Sequence, residues 1–284
     1  MNVQLCLNPS VLWNISDTDY FADHSAISNS MLNVALESMR RYHGMFVSHT
    51  IEPAPPSPEM VLGSLVHCMI LEPDQVGDRW LIADCKVRSG REWQSALGRA
   101  ESGGKTAVPE PVYEAAKLLA DAVLADDGAR SLIDAANLRE QAIRWCDADT
   151  GLTRKAKIDM AILGPAGALI VDVKTTANPD PAAFARSCLD YGYHRQALTY
   201  SEGLAALTGH VAPVLFLCVG KKTPYDVAIN QCGESLLTLA RKETRDGMAM
   251  LRVAMEQGDW SSLWQRQRNL MGAPGWALKQ AGIE

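Results

Sequence analysis

The chain has 284 residues, 47% of them hydrophobic, and a formal net charge of −6. That length can bury a substantial core, as one large domain or as one domain with an appended lobe. The acidic balance excludes a uniformly basic surface that coats nucleic acid, whereas an enzyme that threads DNA through a channel needs only a local basic lining. Seven cysteines (Cys6, Cys68, Cys85, Cys146, Cys188, Cys218 and Cys232) are scattered and never form a CxxC pair, as expected of reduced thiols and not of a zinc or iron-sulfur site. No apolar run approaches the roughly 18 residues that span a bilayer, and MNVQLCLNPS lacks a signal peptide's basic patch and apolar stretch. A cytoplasmic protein without a membrane partner is expected.

In chain order, Ser28 to Phe46 opens on Ser/Asn capping candidates and carries Met31, Val34, Leu36 and Met39 at helical spacing, which predicts one helix ending near Gly44. The breaker EPAPPSPEM precedes a second helix from about Glu59 to Leu71, stopped by Pro73 and carrying His67. Residues 84–108 hold Lys86, Arg88, Arg91, Arg99 and Lys105 with a Gly-Gly break. They read as a mobile basic loop with room for a short helix, in which Trp93 could stack on single-stranded DNA. An alanine-rich helix follows from Pro111 to about Leu124.

The pattern then changes. LREQAIRWCD, LTRKAKIDMAIL and ALIVDVKTT are rich in β-branched and apolar residues and are joined by the turn sequences DADTG and GPAG, which predicts a three-stranded meander. Helical periodicity returns from Pro181 to Leu207, APVLFLCVG and PYDVAIN form two strands around KKTP, and ESLLTLARKETRDGMAMLRVAMEQ is a long last helix. This order predicts an α/β (α+β) fold with a central mixed sheet flanked by helices. We expect a single domain, with an N-terminal helical segment over 1–58, a core over 59–230, and a C-terminal helix and tail over 231–284.

A hairpin turn centred between Pro165 and Ala166 pairs residues whose numbers sum to 331 and so sets Asp159 opposite Asp172, with β-carbons about 5 Å apart. Strict alternation puts Lys157 on the face of Asp159 and Lys174 on that of Asp172, with Ala161 and Ile170; Ile158, Met160, Val171 and Val173 take the other. Two facing carboxylates among apolar neighbours repel unless a cation separates them, and Mg²⁺ or Mn²⁺ with oxygen ligands resolves the conflict. An ammonium at Lys174 would orient a metal-bound water and neutralise charge in a pentavalent phosphate transition state. The competing reading, cross-strand ion pairs on a surface, accords poorly with the apolar surroundings.

Asp159, twelve intervening residues and Asp172-Val173-Lys174 resemble the motif of the PD-(D/E)XK nuclease superfamily. Within it, the histidine ending GSLVH (His67) and the QALTY helix (Gln196 to Tyr200) resemble the branch containing the RecB nuclease domain, lambda exonuclease and the RecE-like phage exonucleases. SAISNSMLNVALESMRRYHGMF is similar to the N-terminal segment of the exodeoxyribonuclease VIII type. The resemblance implies a restriction-endonuclease-like core and a Mg²⁺-dependent DNA exonuclease that resects double-stranded ends 5′ to 3′ for phage-type recombination. It further implies a homo-oligomeric ring, trimer or tetramer, and a single-strand annealing protein as partner.

In residue terms, the resemblance makes His67, Asp159, Asp172 and the Val173 carbonyl metal ligands and Lys174 the positioner of water. Gln196 and Tyr200 would hold substrate, and Glu140 would be a further acid near the metal. Tyr193, on the same helix face, reads as structural. Arg154, Lys157 and Thr175 are candidates for contact with DNA phosphate. The iron-sulfur relatives' closely spaced cysteine trio beyond the Q-x-x-x-Y helix is missing, so no cluster is expected, and no GxxxxGK[ST] sequence encodes ATP use. Two alternatives keep the same fold: an endonuclease of restriction or repair type, and a catalytically silent protein that binds DNA ends.

Overall fold

The computed structural model describes residues 12–164, 167–265 and 270–283. The expectations for MNVQLCLNPS, Cys6 and the Pro165–Ala166 turn centre therefore lie outside the described residues. The N-terminal part contains helices α1 (Asp17–Ala22), α2 (Asn29–Glu37), α3 (Met39–Phe46), α4 (Pro58–Leu71) and the short α5 (Val76–Arg79). Strand β1 (Trp80–Ala83), α6 (Gly90–Ser102) and β2 (Thr106–Pro109) come next, followed by α7 (Glu110–Ala125) and α8 (Asp127–Ala135). Then come β3 (Leu138–Cys146), β4 (Thr153–Gly164), β5 (Gly167–Thr176), α9 (Pro181–Tyr191), α10 (Tyr193–Thr208), β6 (Val214–Gly220), β7 (Val227–Gln231), α11 (Glu234–Gln257) and α12 (Gly275–Gln280).

The central sheet has the order β3-β4-β5-β6-β7, antiparallel except for the parallel β5–β6 pair. A parallel neighbour requires a crossover, which α9 and α10 supply. Those helices cover one face, where Phe184, Ala197, Tyr200 and Leu204 pack on Ile143, Ala156, Ile158, Ala161, Ile170 and Phe216. On the other face, helices α4, α7 and α8 bring Leu65, Val66, Leu119, Val123 and Ile133 against Met160, Val171, Val173 and Leu217. Each fully buried Leu, Ile, Val, Phe or Met side chain among these contributes about 1.5–3 kcal/mol, and covering both faces explains why the strands read as continuous apolar runs.

Several boundaries differ from expectation. The helix expected to end near Gly44 breaks at Ser38, which has φ −160° and ψ 115° and caps α3 by accepting the Arg41 N–H on its hydroxyl. A serine that ends one helix and starts the next serves both roles through its competing side-chain hydrogen bond. The expected basic loop contains the thirteen-residue α6, whose Trp93, Ala96 and Ala100 are buried against a two-stranded parallel sheet of β1 and β2. Trp93 is only 7% exposed, so it has no face on which to stack a base.

The β4–β5 register follows the expected sum, with Met160 opposite Val171 and Ala161 opposite Ile170. The expected alternation of faces, however, fails within β4: Ile158 and Ala161 lie in one core and Met160 in the other. Glu140, which the β3–β4 register sets opposite this interruption, has φ 48°. Left-handed backbone at a non-glycine residue costs about 1–3 kcal/mol and is retained where its surroundings over-determine it. The consequence is that acids from both strands converge at one place.

Candidate active site

The β4–β5 ladder ends at Met160–Val171. One residue further, Asp159 Oδ2 accepts the Val173 N–H at 2.9 Å, so a side chain occupies the place of the next backbone rung. Into the opening α4 projects His67, whose Nε2 is 2.5 Å from Asp159 Oδ2 and whose Nδ1 is 3.3 Å from Glu140 Oε1. The helix reaches this point because Ser57 caps it, Pro58 occupies its first turn, and its apolar flank is buried in the core. His67, Glu140 and Asp159 each offer one ligand atom within 4.8 Å of the others.

Asp172 is 0% exposed. Its Oδ2 is ion-paired with the Lys174 ammonium, and its Oδ1 has no hydrogen-bond partner among the described residues. Glu140 Oε1 likewise lacks a bond of good geometry. An orphaned buried acceptor costs about 1–3 kcal/mol, and two in one cluster leave acceptor capacity for a cation. An imidazole with carboxylate oxygens suits a divalent cation, so the residues present fit a metal. Their arrangement differs from the expected one: Glu140 joins His67 and Asp159, while Asp172 is drawn toward Lys174.

The electrostatics are those of three carboxylates and three cationic groups packed together largely out of water. Burial opposes protonation of His67, but Asp159, then Glu140 and Asp172, outweigh it and hold its pKa up at about 9. Burial raises Asp172 to about 6 despite Lys174, with Asp159 adding to the rise. For Asp159, burial is overcome by His67, Lys174 and the Val173 N–H, so its pKa is lowered. Burial raises Glu140, with His67 and Lys157 acting against it. Buried acids pushed in opposite directions beside one another are the signature of a candidate functional site.

The downstream helix adds aromatic and amide groups. Gln196 Nε2 donates to the Tyr200 hydroxyl at 2.8 Å, and burial followed by Asp159 and Asp172 raises the Tyr200 pKa well above its ordinary value. Tyr193, read from sequence as structural, also lies 4.8 Å from the Lys174 ammonium through its ring face and stacks on Phe184. Its spacing of three from Gln196, one helix face, was the signal. Val173 shows its N–H to the site.

One expected DNA contact needs correction. Arg154 is 2% exposed and is bound to Glu202 and to Thr199 Oγ1 at 2.8 Å, which leaves no guanidinium edge for phosphate. Thr175 is half-buried, with its hydroxyl close to Gly63 of α4, one helical turn from His67. Lys157 does reach the cluster, 2.6 Å from both Glu140 Oε2 and Asp17 Oδ1.

Residues 30–263 match the family described as PDDEXK-like domain of unknown function (DUF3799). The chain belongs to this family. A crystal structure of a candidate exonuclease from Eubacterium rectale is similar to this DUF3799 protein, with a TM-score of 0.62 over 95% of this chain and 100% of that one. At 15% identity that likeness shows the fold, a five-stranded mixed sheet flanked by helices. No curated protein sequence matches the chain. Among the described residues no helix is long and apolar enough to cross a membrane. The DUF3799 protein is thus a nuclease-like PD-(D/E)XK protein with acids placed to hold a divalent metal.

Proposed function

We propose that the protein is a Mg²⁺-dependent DNA exonuclease of RecE-like type that resects double-stranded ends, 5′ to 3′, leaving single-stranded tails for recombination. The observation that carries the reading is the buried Asp172–Lys174 pair next to the His67–Glu140–Asp159 cluster. Family membership and the likeness to a candidate exonuclease support nuclease chemistry. A homo-oligomeric ring and a single-strand annealing partner belong to the same proposal.

His67, Glu140 and Asp159 would hold the cation, with Asp172 beside them as a further carboxylate paired with Lys174. When bound, the cation would polarise a phosphodiester and lower the pKa of its water. Burial lowers the Lys174 pKa, but Asp172 and Asp159 outweigh it, so Lys174 stays charged and its ammonium can orient a water and neutralise developing negative charge. Tyr193 holds that ammonium across its ring face. Gln196 and Tyr200, joined to each other on the adjacent helix face, line the approach for the scissile strand.

An endonuclease uses the same chemistry, so the discriminating experiment compares linear with covalently closed circular duplex in Mg²⁺. Degradation of linear DNA with circles left intact supports end resection. Equal cutting of circles would overturn the exonuclease reading and retain the nuclease.

A further inference from the structure

Helix α1 lies beside the site and is fastened by charges. Asp17 Oδ1 is 2.6 Å from Lys157 Nζ, and Asp17 Oδ2 is 3.4 Å from Arg79 Nη1. Glu72 grips Arg79 from behind in a two-pronged pair at 2.7 and 2.8 Å, which fixes the guanidinium and leaves Asp17 as its second anionic partner. Lys157 is also 2.6 Å from Glu140 Oε2, and Glu140 touches His67. Two cations therefore converge on one carboxylate a single residue away from the candidate metal ligands. Side-chain exposures of 42% for Asp17 and 39% for Arg79 keep this place open to solvent.

We propose that Lys157 and Arg79 form a seat for a backbone phosphate of DNA, and that the Asp17 carboxylate occupies it in the free protein. The proposal rests on the nuclease reading above. A carboxylate between an ammonium and a guanidinium stands in for two phosphate oxygens, since both groups accept charge-assisted bonds in this geometry. Glu72 is the positioning residue for the fork, and DNA displaces Asp17 alone. His67, Glu140 and Asp159 would hold the cation, which would compete with Lys157 for the Glu140 carboxylate and so would favour phosphate at the seat. Helix α1 has other anchors: Lys155 donates to the carbonyls of Tyr20 and Asp23, and Tyr20 is buried. Release of Asp17 need not unfold α1.

The test is fluorescence anisotropy of a labelled duplex oligonucleotide over a salt series in EDTA, where no turnover occurs, with Asp17→Asn, Asp19→Asn and Asp17→Asn/Lys157→Met beside wild type. Asp19 is on the same helix, and its carboxylate accepts the Ser16 hydroxyl at 2.7 Å, so Asp19→Asn removes equal charge without touching the cations. Expected is several-fold tighter binding by Asp17→Asn, with a log–log salt slope steeper by about 0.9, the value for one more neutralised phosphate. Neither change is expected in Asp19→Asn, and both are lost when Lys157→Met is added. Equal affinity and slope for Asp17→Asn and wild type, or an Asp19→Asn gain as large as that of Asp17→Asn, overturns the seat. Cleavage of linear DNA by wild type in Mg²⁺ is scored separately: absence of cutting sinks the nuclease reading, whereas cutting with no Asp17 effect sinks only the seat.

Discussion

If His67 is a metal ligand, metal affinity must depend steeply on pH. Without metal its pKa is about 9, so near neutral pH the ring is an imidazolium directed at Asp159 and Glu140. A cation can take a ring nitrogen only after a proton leaves. About one molecule in a hundred is neutral at His67 near pH 7, which weakens apparent affinity about 100-fold, or roughly 2.7 kcal/mol, relative to the fully deprotonated site. The apparent Kd for Mg²⁺ should fall about tenfold per pH unit from about pH 7 toward 9 and then level. Calorimetry in buffers of different ionisation enthalpy should show about one proton released per ion near pH 7, and about none for His67→Gln. A pH-independent Kd across that range, or the same proton release from His67→Gln, would refute the ligand role. Stability without metal runs the other way: a raised histidine pKa stabilises the fold fully below its ordinary 6.5, and that stabilisation is lost as pH rises through about 9. In EDTA, the excess melting temperature of wild type over His67→Gln should therefore shrink across that interval.

Lys174→Met should retain metal binding yet lower cleavage by about 100-fold or more, as expected for loss of a transition-state cation; because Lys174 also restrains the Asp172 pKa of about 6, residual activity should show its acid limb moved to higher pH. Arg154→Ala should lower stability by about 1–3 kcal/mol in urea unfolding, by removing a buried guanidinium and its hydrogen bond to the buried Thr199, with DNA affinity of the folded protein unchanged. Ser38→Ala should lose about 1 kcal/mol through the α3 cap, measured the same way. Gly203→Ala, whose added methyl would meet Ile143 Cδ1 at 2.4 Å and the Trp145 ring at 2.8 Å, should destabilise by about 1–3 kcal/mol from overpacking, and an unchanged melting temperature would contradict the packing of α10 on β3.

Where sequence and structure agree, local chemistry and burial point the same way. The β4–β5 register follows from turn residues flanked by apolar strands, and α11 spans the very run, Glu234–Gln257, that its periodicity marks. Asp159, Asp172 and Lys174 stand out because charged groups in apolar strands demand partners, whereas His67 stands out only through the family resemblance. Placement of Glu140 beside Asp159 was possible but not forced by the sequence, because alternation cannot foresee a φ of 48°. Helix α6 was obscured by its charged exposed face, with only Trp93, Ala96 and Ala100 marking the buried one. Strands of four residues, such as β1 and β2, are too short to show a period. Nothing in the sequence brings Asp17 to Lys157, a contact spanning 140 positions.

The most direct test of the central claim is digestion of end-labelled linear duplex DNA in Mg²⁺ by wild type and Asp172→Ala. Wild type should release label progressively from the 5′ ends, and Asp172→Ala, folded by circular dichroism, should release almost none. Equal digestion by both proteins would contradict the assignment of the β4–β5 acids as the active site.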